Sequence, residues 1–74
     1  MKGYNYAEAW KKNKLRYYRE LNKYTQVQIS KELGIAQNMY QKYESGKLQP
    51  SIALVIKLSD IYGVTVKELC GYEK

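Results

Sequence analysis

Seventy-four residues allow one domain with a modest core. A formal charge of +6, no histidine and a single cysteine exclude an internal disulfide framework and remove the commonest general base and metal ligand. The longest apolar run, Ile52–Ile56, is too short to span a bilayer, and no signal-peptide segment follows Met1-Lys2, so a cytoplasmic protein without a membrane partner is expected.

Asn5 followed by Glu8 resembles a capping pair, and the pattern after it predicts a first helix from about Tyr6 to Asn22. Trp10, Tyr17 and Leu21 share a stripe on that helix, with Ala7 beside it. Trp10 reads either as an aromatic packed on the edge of the core or, with Tyr17 and Leu21, as a contact for a protein partner.

Lys23 and Tyr24 lead into the stretch that organises the chain, Thr25–Gly46. Thr25 with Gln28 makes a capping box, so a helix starts at Gln26. Gly34 stops it, because glycine tolerates the left-handed exit. Ile35 and Ala36 carry the chain over to a second helix, Gln37–Glu44, which ends before Gly46. At ~100° per residue, Ile29, Ser30 and Leu33 share one side of the first helix and Gln28, Lys31 and Glu32 the other. In the second, Met39, Tyr40 and Tyr43 form the arc expected in the core. Gln37, Asn38, Gln41 and Lys42 form the opposite arc: three amides, one ammonium and no carboxylate. Amides pair with adenine edges and lysine reaches guanine O6 and N7, so these four are the expected base readers. Thr25, Gln26, Ser45 and Lys47 lie at helix ends or in the following loop, where phosphates are met, and Arg16 is placed with them.

After the loop Lys47–Pro50, Ser51 caps a helix over Ile52–Tyr62. Ile52, Val55, Ile56, Leu58, Ser59 and Tyr62 form one broad apolar arc, with Leu54 and Ile61 on its flank. Gly63 ends that helix. Thr65 and Glu68 form a second capping box before a short helix, Val66–Cys70, and a tail from Gly71 to Lys74. The sequence thus predicts an all-α fold, a compact five-helix bundle, with one domain over residues 1–74. Cys70 reads as a small packing residue, or as a redox-sensing or dimer-bridging thiol.

Charge is unevenly spread. Residues 1–47 hold ten Lys/Arg against four acids, and residues 48–74 hold three against three. The whole positive excess lies in the half that carries the helix pair, which suits an anionic polymer.

Thr25-Gln26, Ile29-Ser30, Leu33-Gly34-Ile35, Tyr40, Tyr43-Glu44-x-Gly46, Pro50-Ser51, Leu58, Gly63-Val64 and Leu69 together resemble the phage repressor and Cro family of helix-turn-helix domains, also called the xenobiotic-response-element type. The resemblance runs from about Leu15 to Leu69 without a gap and makes residues 1–14 an N-terminal helical extension. Ser30 stands where the family usually has alanine, and Ala36 where it usually has a serine or threonine cap. The resemblance implies a lambda-repressor-like bundle with the helix-turn-helix at helices 2 and 3, and Leu15 and Tyr18 in the core. It implies an ion pair between Arg19 and Glu44, and a Gln26 that braces Gln37 while touching phosphate. It also implies a homodimer on an inverted-repeat, double-stranded DNA operator. Leu54, Ile61, Val66, Leu69, Cys70 and Tyr72 are the candidate dimer surface.

The expected function is therefore a sequence-specific DNA-binding transcriptional regulator of the repressor kind, with helix 37–44 in the major groove. The alternative is an antitoxin-like or adaptor protein whose partner is another protein. Catalytic residues, cofactors and metal ligands are expected to be none. A lone cysteine without histidine is no nucleophile pair, the carboxylates are scattered singly, and the glycines sit at helix ends rather than in a phosphate cradle. Stacking of single-stranded bases on the nine tyrosines is disfavoured, because most of them fall on faces the core claims.

Overall fold

Thr25 and Thr65 start their helices in the same way. Each hydroxyl accepts the amide of the residue three further on, at 3.0 and 3.1 Å. Each backbone N–H donates to the side chain of that same residue, Gln28 or Glu68, at 2.9 and 2.8 Å. Both are capping boxes, which satisfy amides a helix start leaves open.

The computed structural model describes Glu8 and residues 10–71. Within it run α1 (Leu15–Leu21), α2 (Gln26–Leu33), α3 (Gln37–Glu44), α4 (Ile52–Tyr62) and α5 (Val66–Leu69). Among the described residues there is no strand, and no helix is long and apolar enough to cross a membrane. The turn between α2 and α3 is closed by Gly34 in the left-handed conformation, φ 71°. Ala36 caps α3 with extended backbone but no side-chain hydrogen bond; a serine there is worth about 1 kcal/mol.

The continuous first helix expected over Tyr6–Asn22 does not form; its start, with Asn5, Tyr6 and Ala7, lies outside the described residues. Glu8 and Trp10 are helical, Lys11 and Lys12 turn, and the chain re-enters a helix only at Leu15. Asn13 is the cause. Its Oδ1 accepts the Leu15 amide at 3.0 Å and its Nδ2 donates to the Trp10 carbonyl at 2.8 Å. An asparagine bonding its local backbone competes with the helix.

The core takes Leu15 from α1, Ile29 and Leu33 from α2, Tyr40 from α3, and Val55, Leu58 and Tyr62 from α4. Leu69 and Cys70 join from the end of α5, and Trp10 closes the cluster. Ser30 is buried between helices, its hydroxyl donating to Val27 O at 2.9 Å. Tyr18, Tyr24 and Tyr43 pack at the margin.

Three expectations about burial change. On α4 the arc is rotated: Ile52 and Ile56 are 57% and 50% exposed, while Leu54 and Ile61 are half-buried against the core. The buried centre is set by Val55, Leu58 and Tyr62, and at ~100° per residue Ile56 lies well beyond its edge. Leu69 and Cys70 are fully buried in the core, which takes both out of the candidate dimer surface and withdraws the Cys70 thiol from bridging. Met39 is exposed, because Tyr40, with Tyr43 beside it, fills the space beneath α3. Tyr72 lies outside the described residues.

The buried hydroxyls of Tyr40 and Tyr62 meet at 2.9 Å. Burial disfavours the phenolates, raising Tyr40 well above the ordinary tyrosine range and Tyr62 to about 12. The unfolded chain therefore releases these protons first as pH rises past about 10. Stability is predicted to hold below pH ~10 and to fall above it, by roughly 1.4 kcal/mol per pH unit for each buried hydroxyl. Urea titrations between pH 8 and 12 should show this slope, and phenylalanine at both positions should flatten it.

Candidate nucleic-acid interface

Burying Tyr40 fixes which way α3 faces. With Tyr40 inside and Tyr43 and Glu44 half-buried, Asn38 and Lys42 become outermost, flanked by Gln37 and Gln41 on one side and Met39 on the other. All four expected base readers are exposed.

Two shallow clefts meet along α3. One is lined by Asn38, Gln41, Lys42, Ser45 and Lys47, the other by Arg16, Gln26, Gln41, Glu44 and Ser45. Gln41 and Ser45 belong to both. The fold thus gathers three of the four expected base readers with four of the five expected phosphate contacts. Gln37 and Thr25 stand apart from the clefts. Gln37 is exposed on the first turn of α3, and Thr25 has its hydroxyl oxygen engaged in the α2 cap. Arg16 is exposed, with a 3.1 Å bond from its Nε to Glu20.

The carboxylate in this lining is Glu44, whose side chain is only 8% exposed. Arg19 Nε donates to its Oε2 at 2.8 Å and Nη2 to its Oε1 at 3.4 Å, while Arg19 Nη1 donates to the Tyr24 carbonyl at 2.9 Å. The expected pair is therefore present and forked, and it ties α1 to the last turn of α3. The hydrogen bond to Glu44 raises the Arg19 pKa further. Electrostatically, the guanidinium neutralises a carboxylate that would otherwise repel an approaching phosphate. Gln26 Nε2 also donates to Glu44 Oε1, at 2.9 Å. The Gln26 amide N–H is thus held by Glu44 at the far end of α3.

Sequence reasoning missed Asn13, whose Nδ2 also donates to the Tyr43 carbonyl at 3.1 Å. The available signal was an asparagine just ahead of the point where the family resemblance begins. Trp10 is 1% exposed, so the protein-partner surface expected around it loses its central residue. Tyr17 and Leu21 remain exposed, at 59% and 63%.

A helix pair closed by a glycine turn, with a buried ion pair beneath an amide-rich outer face, is the arrangement of a major-groove reader. The helix-turn-helix family model matches residues 15–69. The chain belongs to this family, the DNA-binding regulators of the phage repressor and Cro type. Relatives of this helix-turn-helix chain share much of its length. It is 39% identical over 62 residues to an uncharacterised HTH-type transcriptional regulator, MJ0272, of Methanocaldococcus jannaschii, covering 84% of this chain and 94% of that one. It is 34% identical over 68 residues to the uncharacterised HTH-type transcriptional regulator YazB of Bacillus subtilis, covering 92% and 97%. It is 40% identical over 47 residues to the cryptic phage CTXphi transcriptional repressor RstR of Vibrio cholerae, covering 64% of this chain and 42% of RstR. No solved structure matches significantly. The family is one of DNA-binding transcriptional regulators, not enzymes.

Removing one partner of a buried pair leaves the other charge uncompensated. Arg19→Ala is predicted to cost about 3–5 kcal/mol, a large part of the stability of a small domain. Gln26→Ala removes a single bond and is predicted to cost about 1 kcal/mol. Urea midpoints measure both, and an unchanged midpoint for Arg19→Ala would contradict the role given to the pair.

Proposed function

We propose that this helix-turn-helix chain is a cytoplasmic repressor that reads an inverted-repeat operator as a homodimer. In this reading α3 lies in the major groove. The observation that carries it is the exposed arc of Gln37, Asn38, Gln41 and Lys42, turned outward by the burial of Tyr40. Asn38 and Gln41 are suited to adenine edges and Lys42 to guanine. Ser45, Lys47 and Arg16 meet phosphates on either side and set the register. Repression follows from occupancy, and RstR, a relative named as a transcriptional repressor, supports that sense of regulation.

The second copy is proposed to meet the first on α4. Ile52 and Ile56 lie one turn apart and are the exposed large apolar residues of that helix. They belong to the half of the chain whose charges cancel, residues 48–74. Two copies can approach there without repulsion and leave both basic halves facing DNA.

Selection of bound sites from random duplexes tests the reading directly. It should enrich one motif with two-fold symmetry. Against the selected site, Asn38→Ala should relax discrimination at one base pair by ~1–3 kcal/mol, whereas Lys47→Ala should weaken all duplexes alike and lower the salt slope by about 1. Absence of any enriched motif would contradict sequence reading. The dimer is checked by sedimentation in the presence of operator. Ile56→Asp should shift the two-to-one complex toward one-to-one, and an unaltered stoichiometry would place the contact elsewhere.

A further inference from the structure

The segment ahead of α1 lies outside the residues matched by the family model, yet it is bonded to the end of α3. Trp10 is buried, and its indole N–H donates to the Tyr43 carbonyl at 3.0 Å. Asn13 Nδ2 donates to the same carbonyl at 3.1 Å. That carbonyl belongs to the last turn of α3, where helix carbonyls lack intrahelical partners; it also accepts the Gly46 amide at 3.2 Å. At the other end of the segment, the Lys14 amide donates to the Leu69 carbonyl at 2.7 Å.

Two glycines make room for it. A Cβ on Gly46 would lie 3.1 Å from the Lys11 carbonyl oxygen, and one on Gly71 only 2.5 Å from that of Lys12. The second distance is one that real side chains do not reach, so residues 10–14 pass between the ends of α3 and α5 as a strap. The last turn of α3 is then gripped twice. Arg19 and Gln26 hold the Glu44 side chain, and Trp10 and Asn13 hold the Tyr43 backbone.

We propose that Trp10 and Asn13 are positioning residues for DNA reading. They set the pitch at which α3 presents Asn38, Gln41 and Lys42 to the groove. The inference rests on the reading of α3 given above. Base-edge hydrogen bonds are geometrically strict, and a recognition group is effective only when its supporting elements hold it within about 0.5 Å. Phosphate contacts are long-ranged and tolerate more slack. Loosening the strap therefore lowers discrimination while leaving non-specific, salt-dependent binding in place.

The test uses the full chain with its selected operator and a scrambled duplex of equal length. Trp10→Phe keeps an aromatic ring in the core and deletes the indole donor. Asn13→Asp keeps Oδ1 for the Leu15 amide and sets an acceptor against the Tyr43 carbonyl. For each variant folded at the assay temperature, the operator-to-scrambled affinity ratio should fall roughly three- to ten-fold, the scale of a lost hydrogen bond. The salt slope of Trp10→Phe, which leaves the charge unchanged, should equal that of the wild type on scrambled duplex. A folded variant with a lower melting temperature and the wild-type ratio would show a merely structural role and overturn the proposal. Should neither variant fold, exchange of the Trp10 indole proton in the wild-type chain decides. Slower exchange on operator than on scrambled duplex supports positioning, and equal exchange overturns it. Failure of the underlying reading has its own signature, a wild-type chain without any operator preference; it would take this inference with it.

Discussion

The Glu44 carboxylate is where the mechanical and the electrostatic requirements of the domain meet. It sits at the end of α3 with little solvent contact, and Arg19 and Gln26 converge on it from α1 and the start of α2. A carboxylate withdrawn from water in this way is stable only with donors in place. Three helices are thereby held at one point, and α3 cannot roll without breaking charged hydrogen bonds. The same contact removes a negative charge from the surface on which Asn38, Gln41 and Lys42 stand.

Around that joint the chain separates two tasks. The basic half supplies attraction to a polyanion, and the neutral half supplies α4, the most apolar helix, for the core. Attraction alone draws any duplex. In the proposed reading, selectivity depends on the fixed pose of a short helix, and the hydrogen bonds gathered at its last turn are what fix it. The Tyr40–Tyr62 hydroxyl pair serves the same end from below, tying the buried side of α3 to α4.

The parts of this design that were legible in sequence are those whose causes are local. Thr25–Gln28 and Thr65–Glu68 announce helix starts because both partners of each capping box lie within one turn. The outward arc of α3 follows from helical period alone. Arg19–Glu44 was legible only through the family resemblance, since nothing local links residues on α1 and α3. The strap was not legible, because the Tyr43 and Leu69 carbonyls that hold it lie far along the chain. The α4 face was misplaced for a related reason. An almost wholly apolar helix carries little information about its own orientation, and the core packed against it decides that Leu54 is half-covered while Ile52 is not. Met39 fell to the same limit, an apolar side chain on a helix whose underside was already filled by Tyr40.

The central claim is that the amide and ammonium face of α3 touches bases while the joint beneath it stays closed. The most direct measurement is an NMR titration of the labelled chain with its operator duplex, following side-chain N–H resonances. The account predicts large shifts for the Asn38 and Gln41 amides and a stationary, slowly exchanging Arg19 Nε–H. Shifts concentrated around Tyr17 and Leu21, with the α3 amides unmoved, would contradict it.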